Sequence, residues 1–483
     1  MSKLGGWKTV AVLAAAVFLS ALIAPDQAMA AGAGAPHLDG RALSALWVAP
    51  FVGILLSIAV MPLAAPLFWH HHFGLVSAGW AAAFLIPFAV IYGWELALYE
   101  LVHVAALEYI PFIILLTALF TVAGGVRLAG SLVGTPAANT TMLAVGTALA
   151  SVMGTTGASM LLIRPLIRSN ENRRHKVHTM VFFIFLVSNV GGSLTPLGDP
   201  PLFLGFLKGV SFFWPTTHLL LPMLTVAIPL LVGYFVLDTW LHTRDPNPHP
   251  LIEGVEEKEP LRIDGKINLL LLVGVVGVVL LGGVWKSGVT VEVFHVPVTL
   301  ESIVTQILLI GLIWLSMKLT DKRSRVENGF TWGPMLEVAK LFAAIFLTII
   351  PAIAILKAGS EGALGWVVSA VNHDGQPVPA MYFWITGALS SFLDNAPTYL
   401  IFFNAAGGDP AHLMTDMALT LTAISAGAVF MGAVTYIGNA PNFMVKAIAE
   451  ERGVKMPSFF GYMAWSFGVL LPLFGLVTWL FFV

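Results

Sequence analysis

The chain has 483 residues, of which 58% are apolar and only 10% are charged, with a formal net charge of −2. A soluble domain carries roughly 25% charged residues, so this composition excludes a large water-soluble enzyme and a disordered scaffold. The charge balance excludes a nucleic-acid binder, and the absence of cysteine excludes a thiolate metal site. We therefore predict an all-α polytopic membrane protein embedded in the lipid bilayer.

Residues 1–30 have the pattern of a secretory signal peptide. Lys3 and Lys8 precede an apolar run at 10–24, and Ala28-Met29-Ala30 follows it. A basic start, a short apolar core and small residues before the cleavage point are typical of such peptides. The alternative is a retained first membrane helix, for which the run is short. We expect cleavage after Ala30 and a mature N-terminus on the periplasmic or extracellular side of a bacterial inner membrane.

Ten apolar stretches that are long enough to span a bilayer follow along the chain. They lie at 44–66, 76–98, 104–126, 178–207, 216–240, 266–284, 301–319, 331–356, 412–446 and 458–483. Two further stretches, 136–166 and 380–404, each contain a central polar break and are predicted to form re-entrant hairpins. This organisation gives N-terminal helices at 44–98, a first repeat at 104–240, a linker at 241–265, connecting helices at 266–319 and a second repeat at 331–483.

Lysine and arginine are distributed unevenly between the segments that connect these spans. With the mature N-terminus outside, most of them fall on the predicted cytoplasmic side, among them Arg164, Arg173, Arg244, Arg323 and Lys455. The few on the predicted outer side are Arg41, Lys208, Lys286 and Lys357. Such an excess marks the cytoplasmic side of multi-pass proteins. We therefore expect a cytoplasmic linker, a periplasmic or extracellular C-terminus, and hairpins that enter from opposite faces.

The chain matches itself at an offset of 240 residues. Pro111 falls on Pro351, and the hairpin tip Gly154-Thr155-Thr156-Gly157 falls on Asp394-Asn395-Ala396-Pro397. The same offset places the segment 195–203 on 435–443. A single ungapped offset that joins a proline, a hairpin and a broken span indicates a duplication. Because the hairpins face opposite sides, the copies should be inverted repeats, which are typical of secondary transporters.

Glycine and proline interrupt otherwise apolar spans at 188–201 and 432–441. These residues prevent a continuous ladder of helical hydrogen bonds, so polar side chains have to satisfy the freed backbone groups. Unwound backbone at mid-membrane also presents carbonyl oxygens and helix ends to an ion. Ion coordination and backbone satisfaction are therefore the two interpretations of the polar residues at these positions. Those residues are Asn189, Thr195, Thr435 and Asn439 in the breaks, and Asn395 at the second hairpin tip.

Two carboxylates stand at these interruptions, Asp199 in the first broken span and Asp394 at the second hairpin tip. A charged Asp at the centre of a membrane helix costs roughly 2.5–3.5 kcal/mol, so such residues usually face a cavity and have a role. Carboxylate oxygen suits hard cations, and the same group also binds a proton. Asp199 and Asp394 are therefore candidate sodium ligands. The alternative is that each caps the helix that follows it.

Glu108 and Glu337 are weaker candidates for a proton relay. Glu108 precedes the kink at Ile110-Pro111, and Glu337 lies in the matching span of the second copy. The spacing of Glu337 and Lys340 permits an ion pair along one helix, which would remove most of the functional interest in Glu337.

The break Ser188-Asn189-Val190-Gly191-Gly192 with Gly198-Asp199-Pro200-Pro201, the tip Asp394-Asn395-Ala396-Pro397-Thr398 and the break Gly438-Asn439-Ala440-Pro441-Asn442 resemble the ion transporter superfamily. The closest branch contains D-type sodium/proton antiporters and citrate transporter-like proteins, and is related to arsenite permeases. The resemblance implies a homodimer and a transport domain that moves as an elevator. It also implies that the tips and breaks bind substrate and ions. The residues carried over are Thr155 and Thr156, 188–199 with Ser188 and Gly198, 394–398 with Thr398, and 435–442 with Gly438.

One departure from that family decides between two hypotheses. Dicarboxylate-transporting relatives carry Ser-Asn-Thr triplets near both tips, whereas the tips here read Gly154-Thr155-Thr156 and Asp394-Asn395-Ala396. A negative Asp394 would repel a carboxylate substrate unless it bound a proton or sodium. We therefore favour sodium (cation)/proton antiport over sodium- or proton-coupled transport of an anion such as citrate. A membrane-embedded hydrolase is a remote alternative because its sequence motifs are missing. No cofactor is expected beyond the transported or coupling Na⁺ and H⁺.

Overall fold

The computed structural model describes residues 38–130, 132–245 and 260–483 of the chain. Within these residues, 8 helices are long and apolar enough to cross a membrane, and a bent helix pair brings the number to 9. This finding confirms the predicted all-α polytopic membrane protein. The predicted signal peptide and the acidic part of the predicted linker, 246–259, lie outside the described residues.

The helices follow the predicted order along the chain. In the first half they are α1 Ala49–Ala64, α2 Pro66–Tyr92, α3 Trp94–Val104, α4 Ile110–Ala123, α5 Pro136–Met153, α6 Thr155–Ser169, α7 Val177–Leu186, α8 Pro200–Leu207 and α9 Trp214–His242. In the second half they are α10 Ile267–Val284, α11 Leu300–Leu319, α12 Lys322–Glu327, α13 Gly333–Thr348, α14 Ile350–Lys357, α15 Gly365–Val371, α16 Pro379–Leu393, α17 Asn395–Ala405, α18 Pro410–Met414, α19 Ala418–Met431, α20 Ala440–Glu451 and α21 Phe459–Phe481.

Short elements join these helices. The π-helical turn Ala105–Tyr109 connects α3 to α4 in one span, and 3₁₀ turns at Val190–Leu194 and Gly432–Val434 follow α7 and α19. Further 3₁₀ turns lie at Gly40–Ala42, Ala45–Val48 and Gly359–Glu361. Three antiparallel two-stranded pairings are present among the described residues. They join β1 Arg127–Ala129 to β2 Arg262–Asp264, β3 Thr290–Val293 to β4 Val296–Thr299, and β5 Asn372–His373 to β6 Gln376–Pro377.

The predicted boundaries of the second span, 76–98, are wrong. The helix begins at Pro66, where proline needs no amide partner, and ends at Tyr92, just before Gly93, whose φ is +92°. The hydropathy pattern missed its first turns because they contain three consecutive histidines. Those histidines are tolerated because His71 Nδ1 and His72 Nδ1 lie 2.8 and 3.0 Å from carbonyl oxygens one turn earlier.

The helices pack in two groups. The arm group contains α1 to α4, α10, α11, α13 and α14, and its members contact mainly each other, except that α14 contacts α17 of the core group more than it contacts α13. The core group contains α5 to α9, α16, α17 and α19 to α21. Between 17% and 28% of each apolar stretch over α1, α2, α10 and α11 in the arm group is buried, as expected of membrane-facing helices, whereas 89% of the stretch Val177–Leu194 in the core group is buried. The polar breaks therefore lie in the most enclosed part of the molecule.

Equivalent positions of the two copies have the same local conformation. The pair α5–α6 reverses at Gly154 with a φ of +81°, and the pair α16–α17 reverses at Asp394 with a φ of +75°. Each core copy then continues with a helix, a 3₁₀ turn and a second short helix that begins at Pro200 or Ala440. Each hairpin tip consequently lies beside the interruption of a broken span. That these hairpins are re-entrant in the bilayer remains a prediction.

Candidate functional site

The first hairpin tip is joined to the first broken span through backbone and side chain together. The amide of Thr155 donates to the carbonyl oxygen of Gly198 at 2.9 Å, and its hydroxyl donates to Asp199 Oδ1 at 2.9 Å. Gly198 is required for this contact, because a side chain there would overlap the carbonyl group of Gly192. The tip and the break therefore form one unit in which Asp199 is held by the neighbouring hairpin.

Asp199 is the point at which both repeats and both hairpins meet. Its carboxylate accepts hydrogen bonds from Thr155 of the first tip, Asn395 of the second tip and Asn439 of the second break, the last at 3.1 Å. The side chain is buried, and it makes no capping bond to the helix that follows it. The capping interpretation of Asp199 is therefore wrong: its oxygens face the other elements of the site.

Asp394 differs from Asp199 in both backbone and contacts. Its carboxylate accepts a hydrogen bond from the amide of Ala396 at 3.1 Å, so it does cap the following helix. Its φ of +75° and ψ of 139° lie in a region that favours glycine, which occupies the equivalent position 154. A residue with a side chain is strained there by about 1–3 kcal/mol. The second tip thus keeps a carboxylate where the backbone would be more stable with glycine.

The two threonines of the breaks support the backbone. Thr195 and Thr435 donate to the carbonyl oxygens of Ser151 and Ser391, which lie near the ends of the first helices of the two hairpins. The hydroxyls also accept the amides two residues later, at 3.1 and 3.2 Å. Each therefore fastens a break to its hairpin in the same way. Gly438 is the close-approach position of the second copy, where a Cβ would lie 2.6 Å from the carbonyl oxygen of Gly432.

Side-chain amides link the first break to the second. Asn189 donates to Asn442 Oδ1 at 2.7 Å, and Asn439 donates to Asn189 Oδ1 at 3.2 Å and to the carbonyl oxygen of Ser188 at 3.1 Å. The hydroxyl of Ser188 lies 3.0 Å from that of Ser159. All of these side chains are buried, which is tolerated because each of them has a hydrogen-bond partner. Asn439 is the residue that connects this network to Asp199.

A cavity of about 110 Å³ lies between this polar cluster and the arm group. Asp199, Asp394, Asn395, Asn439 and the two threonines of the first tip line its core side. Apolar side chains from α4 and α13 line the opposite side: Leu115, Leu116, Leu119, Phe120, Pro334, Met335, Val338 and Phe342. No Lys, Arg or His is among the described residues that line it. The cavity therefore offers two carboxylates and several amide and hydroxyl groups without a basic counter-ion.

The remaining candidates have different surroundings. Thr398 is buried and donates to the carbonyl oxygen of Asp394 at 2.8 Å, so it supports the second tip. Glu108 is outside the cavity and forms an ion pair with Lys208, with 2.5 Å between Oε1 and Nζ. Glu337 is also outside it. Lys340 lies 5.3 Å from the ring centroid of Phe73, and no Glu337–Lys340 ion pair is found in the described part of the chain.

Two contributors were not identified from the sequence. Ser159 was missed, although it follows Thr155 by one helical turn and therefore lies on the same face of α6. Lys208 was read only as one of the few positive residues on the predicted outer side. Its pairing with Glu108 spans 100 residues, so no local pattern indicates it.

Clusters of three or more His, Asp or Glu side chains that could hold a metal ion are absent from the part of the chain that the structure describes. Carboxylate oxygens such as those of Asp199 and Asp394 suit hard cations.

Comparisons with known proteins agree with the resemblance read from the motifs. The chain is 26% identical over 332 residues to "Uncharacterized transporter Rv2684" of Mycobacterium tuberculosis strain H37Rv, covering 66% of this chain and 71% of that protein. It is 24% identical over 323 residues to "Uncharacterized transporter Rv2685" of the same organism, covering 65% and 69%. The family model described as "Putative citrate transport" matches residues 40–482. The chain is therefore a membrane transporter that belongs to this citrate transport family.

Proposed function

We propose that the protein exchanges sodium or another small cation for protons, with Asp199 and Asp394 as the groups that bind them. The observation that carries this proposal is the pair of carboxylates in a cavity whose described lining has no basic residue. Two like charges in an enclosed, poorly solvated site need compensation by a proton or a cation. If the site binds either a proton or a cation but not both at once, movement of one across the membrane is coupled to movement of the other in the opposite direction.

The two carboxylates differ in the hydrogen-bond donors around them. Asp199 accepts bonds from Thr155, Asn395 and Asn439, and such donors stabilise its ionised form. Asp394 has the single amide bond of its own cap. We therefore assign the cation primarily to the carboxylate of Asp199. Asp394 is then the second group that must be neutralised when the site is empty of cation.

The packing supports movement of the core group against the arm group. The cavity lies at their boundary, and apolar side chains of α4 and α13 form the arm side. The apolar side chains on the arm side of the cavity form no directional bonds that must break when one group slides along the other. In this proposal the core group carries the site across the membrane as an elevator, and the arm group is the stationary, dimer-forming part.

A second candidate function is transport of a citrate-like anion coupled to sodium or protons, which the family description favours. The amide groups of Asn395 and Asn439 are suitable donors for a substrate carboxylate. The carboxylates of Asp199 and Asp394 would then have to be neutralised by the coupling cations or protons. This function shares the site with antiport but requires the anion to be carried in the same direction as the cation.

The experiment uses purified protein in proteoliposomes with an imposed pH gradient. Addition of Na⁺, Li⁺ or K⁺ is expected to dissipate the gradient in the wild type, and Asp199→Asn and Asp394→Asn are each expected to abolish this response. Asp374→Asn is the matched control, because Asp374 also has a positive φ, at 50°, but its side chain is 90% exposed in the turn between β5 and β6.

Cation-dependent dissipation that persists in both site variants would refute the carboxylate mechanism. Accumulation of labelled citrate that depends on a sodium or proton gradient, without cation/proton exchange in its absence, would select the second function.

A further inference from the structure

The ion pair between Glu108 and Lys208 joins the two helix groups. Glu108 lies on the π-helical turn Ala105–Tyr109 of the arm group, and Lys208 is the C-cap of α8 in the core group. Their charged atoms are 2.5 Å apart, and the exposed fractions of the two side chains are 8% and 24%. A carboxylate as enclosed as this one is strongly unfavourable without its partner. The pair therefore favours the arrangement in which α8 lies against this turn.

Helix α8 connects this ion pair rigidly to the candidate site. Asp199 is its N-cap, Phe203 lies one turn further, and Lys208 is its C-cap after 8 helical residues. At 1.5 Å per residue, the helix places its two ends about 12 Å apart. So short a helix transmits a displacement from one end to the other. Whatever holds Lys208 in place thus also restricts the position of Asp199.

An aromatic layer lies between the ion pair and the cavity. Phe112 of α4 is 4.8 Å from Phe342 and 5.6 Å from Phe346 of α13, measured between ring centroids, and 6.2 Å from Phe203 of α8. Phe203 and Phe342 also line the cavity. The cavity is therefore closed towards Glu108 by packed rings from both groups, with the ion pair beyond them. It extends in the other direction, towards Phe120 and Met335.

We propose that the Glu108–Lys208 ion pair is a lock that keeps the path on this side of the cavity closed. The proposal rests on the proposed function only in requiring that the site become accessible from both sides. Lys208 is a positioning residue, since it acts on Asp199 through α8. By the charge distribution of the sequence, the locked side is the one predicted to be outside.

The test measures accessibility rather than transport. The chain has no cysteine, so Thr156→Cys introduces a single thiol that faces the cavity. A membrane-impermeant methanethiosulfonate cation is applied to right-side-out membranes, and the rate of modification is followed. We expect slow modification of Thr156→Cys alone and about tenfold faster modification after adding Lys208→Met, which corresponds to a shift of about 1.4 kcal/mol between closed and open states.

Two further variants separate a lock from a packing defect. The exchange Glu108→Lys with Lys208→Glu restores a pair of opposite charges and should return the rate to the slow value. Lys446→Met is the matched control, since it removes a lysine ion pair with Glu450 elsewhere in the core group and should change nothing.

An unchanged rate in Lys208→Met overturns the proposal. The proposal is also overturned if the variant with exchanged charges is folded, as judged by its elution, but is still modified fast. That result would indicate that the substitution at Lys208 disturbs packing rather than opening a lock. Modification needs no substrate, so the outcome is independent of which ion is carried. If the labelling rates are as predicted but the protein does not exchange cations for protons, the proposed function is refuted and the lock is still supported.

Discussion

The strained position of Asp394 leads to a prediction about stability in which two small substitutions have opposite effects. Asp394→Gly removes the steric conflict at a φ of +75°, whereas Asp394→Ala keeps it. Relief of the strain contributes about 2 kcal/mol, the middle of the usual range. The extra freedom of glycine in the unfolded chain removes about 0.7 kcal/mol, and replacing a cap by glycine removes about 0.3 kcal/mol. The net expectation for Asp394→Gly is a gain of about 1 kcal/mol.

Asp394→Ala has no such gain. It loses the bond from the amide of Ala396, worth about 1 kcal/mol, and places a Cβ at a positive φ without the local hydrogen bond that makes Asp tolerable there. We therefore expect a loss of about 1–2 kcal/mol. The order of stability should be glycine, then wild type, then alanine, while both variants lose cation-dependent transport. A carboxylate kept at the expense of stability is the sign of a functional requirement.

The assay is thermal unfolding of the purified protein in one detergent, scored as the half-life of the folded species at a fixed temperature. A half-life is appropriate because large membrane proteins often unfold irreversibly. The control repeats both substitutions at Asp374, which also has a positive φ but is exposed in a turn. There glycine should again exceed alanine, without an effect on transport. A glycine variant at position 394 that is less stable than wild type would refute the reasoning from strain.

Two further predictions concern the breaks. Gly198→Ala places a methyl group against the carbonyl of Gly192 and should destabilise the protein by more than about 2 kcal/mol, which would be seen as poor recovery of folded protein. In the control Gly277→Ala, in α10, the new methyl group meets no atom within 4 Å, and the substitution should stabilise the protein by about 0.5–1 kcal/mol. Equal recovery of the two variants would contradict the close approach. Asn439→Asp replaces a donor to Asp199 by a like charge and should lower transport at least about tenfold while Asn439→Ser retains part of it, in the same proteoliposome assay. Full activity of the aspartate variant would show that Asn439 does not face Asp199 during transport.

Local sequence signals predicted where the helices of the core group are interrupted. Gly154 and the segment 195–203 contain residues whose backbone preferences act within a few positions, so the tip and the break were recognised where the structure has them. The boundary at 76–98 failed because hydropathy treats histidine as a helix end, although His71 bonds within its own helix. Ser159 was missed because burial, rather than sequence, distinguishes it from other serines.

The sequence by itself determined the class of the protein, the approximate order of its spans and the positions where they break, because composition and glycine or proline act locally. Only the tertiary structure decided that Asp199 is shared by both tips and the second break, and that Glu108 pairs with Lys208. Those contacts join residues 196, 240 and 100 positions apart. Their existence depends on how helices pack against each other, and packing is settled by the whole set of side chains rather than by any local pattern. The scarcity of charged residues indicated a membrane protein, and the positions of Asp199, Asp394 and the Glu108–Lys208 pair in the structure lead to the proposed site and lock.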